Sequence, residues 1–450
     1  MLALAVRSLR ARLGGFAASI VATFLGATIL MAFASLLDTR GGGGLDSTSR
    51  NTLLIVAVVV GGWGLLIVAF GIAATLTLSA RQRANEIALL KSVGATPEQV
   101  GRLIVGEAAL VSVAAALAAI VPAMLTGRLL LELLQDTGQV GETVTYRFGA
   151  IALAMGLGIT FLAAVIAAVV AARRAAAMRP AESLLAAAVD DAPLSKRRVV
   201  IAGVFLFAAL NTAVTTITVF HGKGIDAMQT AGQGSICAAI GFALLAPLLV
   251  RRVTTRITTR IARAGASGYL AGLNVSQRSQ QMANALMPII LFTGIALGTL
   301  YMQSIENGAP AGTSGETVAG AKNVETLNFV IVGMIAVFAA ILLVNTLVAA
   351  TVHRRQEFAQ LRLTGSTPAQ VRRMVTLESV VLLATGVLFG SLAAIFTVVP
   401  YNIARTDSVL PDSAAIYVGV VASAAILTLA AGAGATRRTL RSPAVEAVTV

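Results

Sequence analysis

Side chains that ordinarily carry catalysis are sparse in this chain of 450 residues. One cysteine, Cys237, excludes an internal disulfide, and His221 and His353 alone supply no cluster of soft ligands for a structural metal. The glycine runs GGGG (41–44) and GKG (222–224) invite a phosphate-loop reading. Such a loop needs Gly, four residues, Gly, Lys and Ser or Thr, whereas here Ile217 stands where the first Gly belongs and Gly224 follows Lys223. Both runs read as outer loops. Carboxylates inside apolar segments are limited to Glu107 and Glu378, expected to pair with nearby basic residues, while Asn211 and Asn345 are expected to bond across helices. The pattern with a repeated purpose lies elsewhere, in RANEIALLKSVGATPEQV (83–100) and RRQEFAQLRLTGSTPAQV (354–371).

A register of 271 residues superposes Arg83 on Arg354, Glu86 on Glu357, Ala88 on Ala359 and Leu90 on Leu361. It continues with Gly94, Thr96, Pro97, Gln99, Val100, Arg102 and Glu107 on Gly365, Thr367, Pro368, Gln370, Val371, Arg373 and Glu378, all identical. Glu86 to Val93 holds neither Pro nor Gly, so it predicts a short helix that Gly94 ends. Thr96-Pro97-Glu98-Gln99 and Thr367-Pro368-Ala369-Gln370 have the order of a capping box: Thr at the cap, Pro at the first helical position, Gln three residues on. A second helix therefore starts at once. The pair forms a rigid knuckle, on which Ile87 and Leu90, matched by Phe358 and Leu361, precede a base, Lys91 or Arg362. Those apolar residues suit either a peg for a partner's groove or packing on neighbouring spans.

What holds the knuckles is a membrane. A hydrophobic content of 57%, 12% charged residues and mean hydropathy +0.86 lie far outside soluble domains. Apolar runs long enough for the hydrocarbon fall near 14–37, 53–79, 103–125, 149–171, 199–220, 236–250, 284–304, 327–352, 374–399 and 413–435. Ten spans place both termini on one side. With the termini inside, 27 of the 34 Lys and Arg fall on cytoplasmic segments and 7 outside, a strong positive-inside bias. The net charge of +14 then follows from topology and contact with anionic membrane lipids, and requires no nucleic acid. The fold class is an all-α polytopic membrane protein. Two parallel four-helix repeats, 1–185 with motif loop 80–103 and 263–450 with motif loop 353–373, flank a two-helix connector at 186–262. A weaker echo at an offset of 268 aligns Ser8, Arg10, Phe24 and Gly26 with Ser276, Arg278, Phe292 and Gly294.

The two motifs, with GEAAL and LESVV after them and the Arg-rich ends RRAAAMRPAESL and RRTLRSPAVEAV, resemble the FtsX-like permease domain of ABC transporters. The resemblance covers both four-span units and leaves the connector uncovered. It implies that Glu86 to Gly94 and Glu357 to Gly365 are coupling helices that sit in grooves of two copies of a separate ATP-binding subunit. ATP and Mg would then belong to that partner, with no cofactor in this chain and no enzymatic activity of its own. The short DTRGGGGLDSTSRNT stretch is too small to fold as the extracytoplasmic domain of better-known exporters, so no periplasmic adaptor is expected. The implied function is movement or extraction of an amphipathic substrate, such as a lipid, lipopeptide, antibiotic or peptide, across or from a bacterial cell membrane. Mechanotransmission or antimicrobial-peptide sensing without translocation stays open. A secondary transporter fits less well, because its coupling carboxylates near the midplane are missing.

Overall fold

The computed structural model describes residues 13–42, 45–62, 65, 68, 72, 89–90, 92–136, 138–177, 195–222, 225–253, 265–277, 279–308, 343, 354–409, 411 and 413–440. Among them it is all-helical, without strands. The chain divides into two compact units, one from Met1–Ala188 and Thr317–Met334, the other from Val189–Glu316 and Ile335–Val450. Among the described residues seven helices are long and apolar enough to cross a membrane, or eight if one bent pair counts as a span. Two expected spans, 53–79 and 327–352, fall largely outside the described residues.

In the first unit the elements are α1 (Leu13–Arg40), α2 (Ser47–Ile55, prolonged by a π-helical turn at Val56–Val60), α3 (Pro97–Ala118), α4 (Ile120–Asp136) and α5 (Ala150–Ala177). Helix α1 packs on α3, α4 and α5. Small residues close the interior: Ala27, Ala116, Ala119 and Ala123 meet around Met31. A second cluster joins Phe33 and Leu36 of α1 to Leu53, Val56, Leu130 and Leu134. The break between α3 and α4 has a local cause, since Pro122 has no N–H to give the Ala118 carbonyl and its ring crowds that turn. At its far end α1 holds α5 by charge. Asp38 Oδ1 and Oδ2 accept from the backbone N–H groups of Gly149, Ile151 and Ala152 at 2.8–3.1 Å, placing an anion on the α5 N-terminus.

The second unit contains α6 (Lys196–Thr218), α7 (Ile225–Leu244), α8 (Ala266–Gln277), α9 (Ser279–Gly308), α10 (Arg355–Leu363), α11 (Pro368–Thr406) and α12 (Ala414–Leu440). Helix α11 is its axis, in contact with α6, α7, α8, α9, α10 and α12. Its 39 residues at about 1.5 Å each reach about 58 Å, well beyond a hydrocarbon core of about 30 Å. The register explains why α11 is unbroken where α3 and α4 are not: Ala393 stands opposite Pro122. Helices α6 and α7, expected as a separate connector, pack within this unit.

Backbone contact between α9 and α11 depends on paired glycines. A Cβ on Gly390 would lie 2.6 Å from the Thr293 Cβ, and one on Gly386 2.4 Å from the Ile289 Cγ2. The echo at 268 reaches this seam, because Gly26 and Gly294 are both sites of close approach, to Val68 and to Ala393 and Ala239 respectively. Helix α7 meets α11 through polar backbone. Pro400 leaves the Phe396 carbonyl without its intrahelical donor, and Gly234 gives that oxygen room, at 2.4 Å from where a Cβ would be. The next residue, Thr397, donates its hydroxyl to the Ala231 carbonyl at 2.6 Å and accepts from the Ser235 N–H at 2.7 Å, bridging a rung of α7. The bent pair, Thr230–Leu244 with Ala246–Val253, turns by 69° where Pro247 interrupts the ladder. Leu248 N–H bonds to Leu245 instead of Leu244, and Arg198 Nε donates to the freed Leu244 carbonyl at 2.7 Å. Asn211, expected to bond across helices, lies on an exposed face of α6, and Asn345 lies outside the described residues.

Adding one carbon at the α9–α11 seam therefore forces both backbones apart. Gly390→Ala is expected to cost about 1–3 kcal/mol by overpacking, read as a lower melting temperature in detergent. Gly419→Ala, with nothing within 4 Å of the added carbon, should leave the melt unchanged or raise it slightly.

Candidate functional site

Two backbone devices meet in the knuckle without a residue between them. Helix α10 ends at Leu363 with Thr364 as its cap, and Gly365 takes φ +102°, which a side chain would oppose. Gly365 N–H then bonds to the Arg362 carbonyl at 3.2 Å and Ser366 N–H to the Leu361 carbonyl at 2.8 Å, a Schellman end. The next residue, Thr367, starts α11: its hydroxyl accepts from Gln370 N–H at 3.3 Å while the Gln370 Oε1 accepts from Thr367 N–H at 2.8 Å, and Pro368 holds the first position. The second helix of the knuckle is thus the membrane-crossing helix itself.

The first copy repeats this construction. Gly94 has φ +99°, Ala95 N–H bonds to the Leu90 carbonyl at 3.0 Å and Val93 N–H to the Leu89 carbonyl at 3.1 Å. Thr96 and Gln99 exchange the two capping bonds at 3.0 and 3.3 Å, and Pro97 opens α3. Glu86, Ile87 and Lys91 lie outside the described residues.

Side chains separate the copies. Phe358, expected beside Leu361 as a docking peg, is 1% exposed and packs with Ala271, Val371, Met374 and Val375. Of the two readings left open for this position, Phe358 follows packing on neighbouring helices: α10 lies against α8 and α11 on that side. Leu361 is partly buried against the same cluster. Arg362, expected next to the peg, reaches instead toward the Leu440 carbonyl at 3.4 Å. The apolar surface left open is different. In the first copy Leu90 is 43% exposed, with Leu89 at 67% and Val93 at 88%; in the second, Leu363 is 56% exposed. Spacing could show where apolar residues fall on the helix, but not which side the chain's own helices cover.

Glu357 and Glu378 converge on Arg354, the residue before α10. Arg354 Nε and one terminal nitrogen donate to Glu357 at 3.0 and 3.2 Å, and the guanidinium also donates to both oxygens of Glu378, one of them at 3.1 Å. Asn274 Nδ2 of α8 donates to Glu378 Oε1 at 2.9 Å, and the Arg354 guanidinium lies 4.9 Å from the centre of the Phe358 ring. Burial works against the charge of Arg354, yet Glu378 and Glu357 hold its pKa above the ordinary arginine value. The expected partner of Glu378 is therefore present, and Arg354 joins the site. Its signal in the sequence was its identity with Arg83 in the register. Glu107, the counterpart of Glu378, is also buried.

Fold and site together define an all-helical, multi-pass membrane protein in which a repeated helix–turn–helix feeds directly into long spanning helices. The chain matches the FtsX-like permease C-terminal family over residues 58–180 and 329–444, both copies of the knuckle included, and it belongs to that family. None of the curated proteins compared matches it. It is a permease-type membrane protein of the kind found in ABC transporters.

Both backbone devices are open to measurement. Thr367→Ala removes the cap and is expected to cost about 1 kcal/mol. Gly365→Ala, forced to a positive φ, is expected to cost about 1–2 kcal/mol. Thermal unfolding in detergent should lose a few degrees in each case, and an unchanged melt would contradict the geometry.

Proposed function

We propose that this chain is the membrane subunit of an ABC transporter and that each knuckle seats in a separate ATP-binding subunit, two per chain. Both knuckles then face the cytoplasm, both termini lie there, and the protein resides in a bacterial cell membrane. Hydrolysis of ATP with Mg occurs in the partner, and this chain turns the partner's closure into movement of its spans.

The observation that supports this most is the identical backbone construction of the two turns, with φ +99° and +102° and the same end-and-cap bonds, at positions where the family match recurs. A turn so built joins its short helix to the span with no linker between them. The open leucines and Val93 are suited to an apolar groove. An amphipathic cargo handled at the membrane suits spans in which Glu107 and Glu378 are buried against protein.

The test charges the open surface of both knuckles. Val93→Asp with Leu363→Asp alters two exposed side chains, so the melt of the chain itself should move by less than about 1 kcal/mol. A carboxylate in the partner's groove is costly, and the ATP-binding subunit should no longer co-purify from native membranes. Co-purification and hydrolysis rates equal to those of the unaltered chain would rule out the knuckles as the docking sites.

A further inference from the structure

A short helix joined to a span by one turn can still pivot about that turn. Helix α10 has nine residues, and Gly365 with the capping box fixes only its C-terminal end. Its other end is fixed by charge. Arg354 sits immediately before α10, while Glu378 lies ten residues beyond Pro368, about 15 Å along α11 at the helical rise. The pair is 4% exposed on each side, so α10 folds back along α11 and is fastened again, well away from the turn. Asn274 connects the same carboxylate to α8, and Glu357 takes the Nε edge of the guanidinium.

We propose that Arg354 is a positioning residue that converts α10 and α11 into one lever, by holding the free end of α10 to Glu378 so that force on the knuckle reaches the span. This rests on the coupling role proposed above and names the group that makes it efficient. A buried arginine fork suits the task because two or more directed bonds fix orientation as well as distance, which a lysine's point charge cannot do. The register places the same three residue types at Arg83, Glu86 and Glu107, so the duplicated chain has kept the set in both copies.

The experiment is hydrogen exchange on the full chain in lipid nanodiscs. Glu378→Gln keeps the size of the side chain and removes its charge. Exchange of α10 amides at 358–363 should rise by at least about tenfold while α12 amides stay as they were. Arg354→Gln should act likewise, Arg354→Lys should fall between it and the unaltered chain, and the double Gln variant should give less than the product of the two single effects. Unchanged α10 exchange, or loosening that spreads equally to α9 and α12, overturns the proposal. A second reading uses ATP hydrolysis by the co-purified ATP-binding subunit with and without this chain: Glu378→Gln should reduce the ratio of the two rates, and a ratio equal to that of the unaltered chain also overturns the lever. If even the unaltered chain has no effect on that rate, the docking role fails, while the exchange data still decide whether Arg354 fastens α10.

Discussion

Between Leu363 and Pro368 the backbone has no free residue. Thr364 ends one helix, Gly365 takes the left-handed turn, Ser366 closes the Schellman bond and Thr367 caps the next helix. Four consecutive residues thus satisfy the last carbonyls of α10 and the first N–H groups of α11 with no linker between them. The proposed lever depends first on that economy. A flexible connection at the same place would allow α10 to move while α11 stayed still.

Packing then carries the constraint into the membrane. Helix α11 continues from the turn for 39 residues, and the glycines Gly386, Gly390 and Gly294 bring it and α9 into backbone contact. In lipid, where apolar burial between helices gives little driving force, such close approach is a main source of cohesion. Polar groups are placed where they close a gap: Thr397 in the α7 ladder, Arg198 on the Leu244 carbonyl at the Pro247 bend. The far ends are fastened by acids that share the 268 register. Asp38 caps α5, whereas Glu306 takes a two-pronged bond from Arg405 at 2.9 and 3.0 Å and a further one from Tyr401. Matched positions thus fasten different helices through different partners.

Much of this was legible in the sequence, and the parts that were not share a cause. Local chemistry declared itself: Gly94 and Gly365 as left-handed ends, and Thr-Pro-x-Gln as a capping box, depend on neighbours within four residues. Long apolar runs likewise declared most spans. Tertiary context decided the rest. Nothing within the RRQEFAQLRL stretch tells that Phe358 turns inward, because the residues covering it, Ala271 and Met374, come from other helices. Arg354 was visible as half of an identical pair, but its carboxylate partners lie 3 and 24 positions away, and Asn274, which holds the second of them, comes from another helix. Pro122 and Ala393 set another difference between the copies, since a single ring separates α3 from α4 while α11 runs through.

The central claim is that α10 and α11 move as one body when the partner closes. Spin labels at Gln360 and Val380, both exposed, on a Cys237→Ser background would report the distance between them in the assembled complex. The account predicts one narrow distance population, the same without nucleotide and with ATP trapped. A distribution that broadens or shifts between those states would show α10 pivoting on its turn and would contradict it.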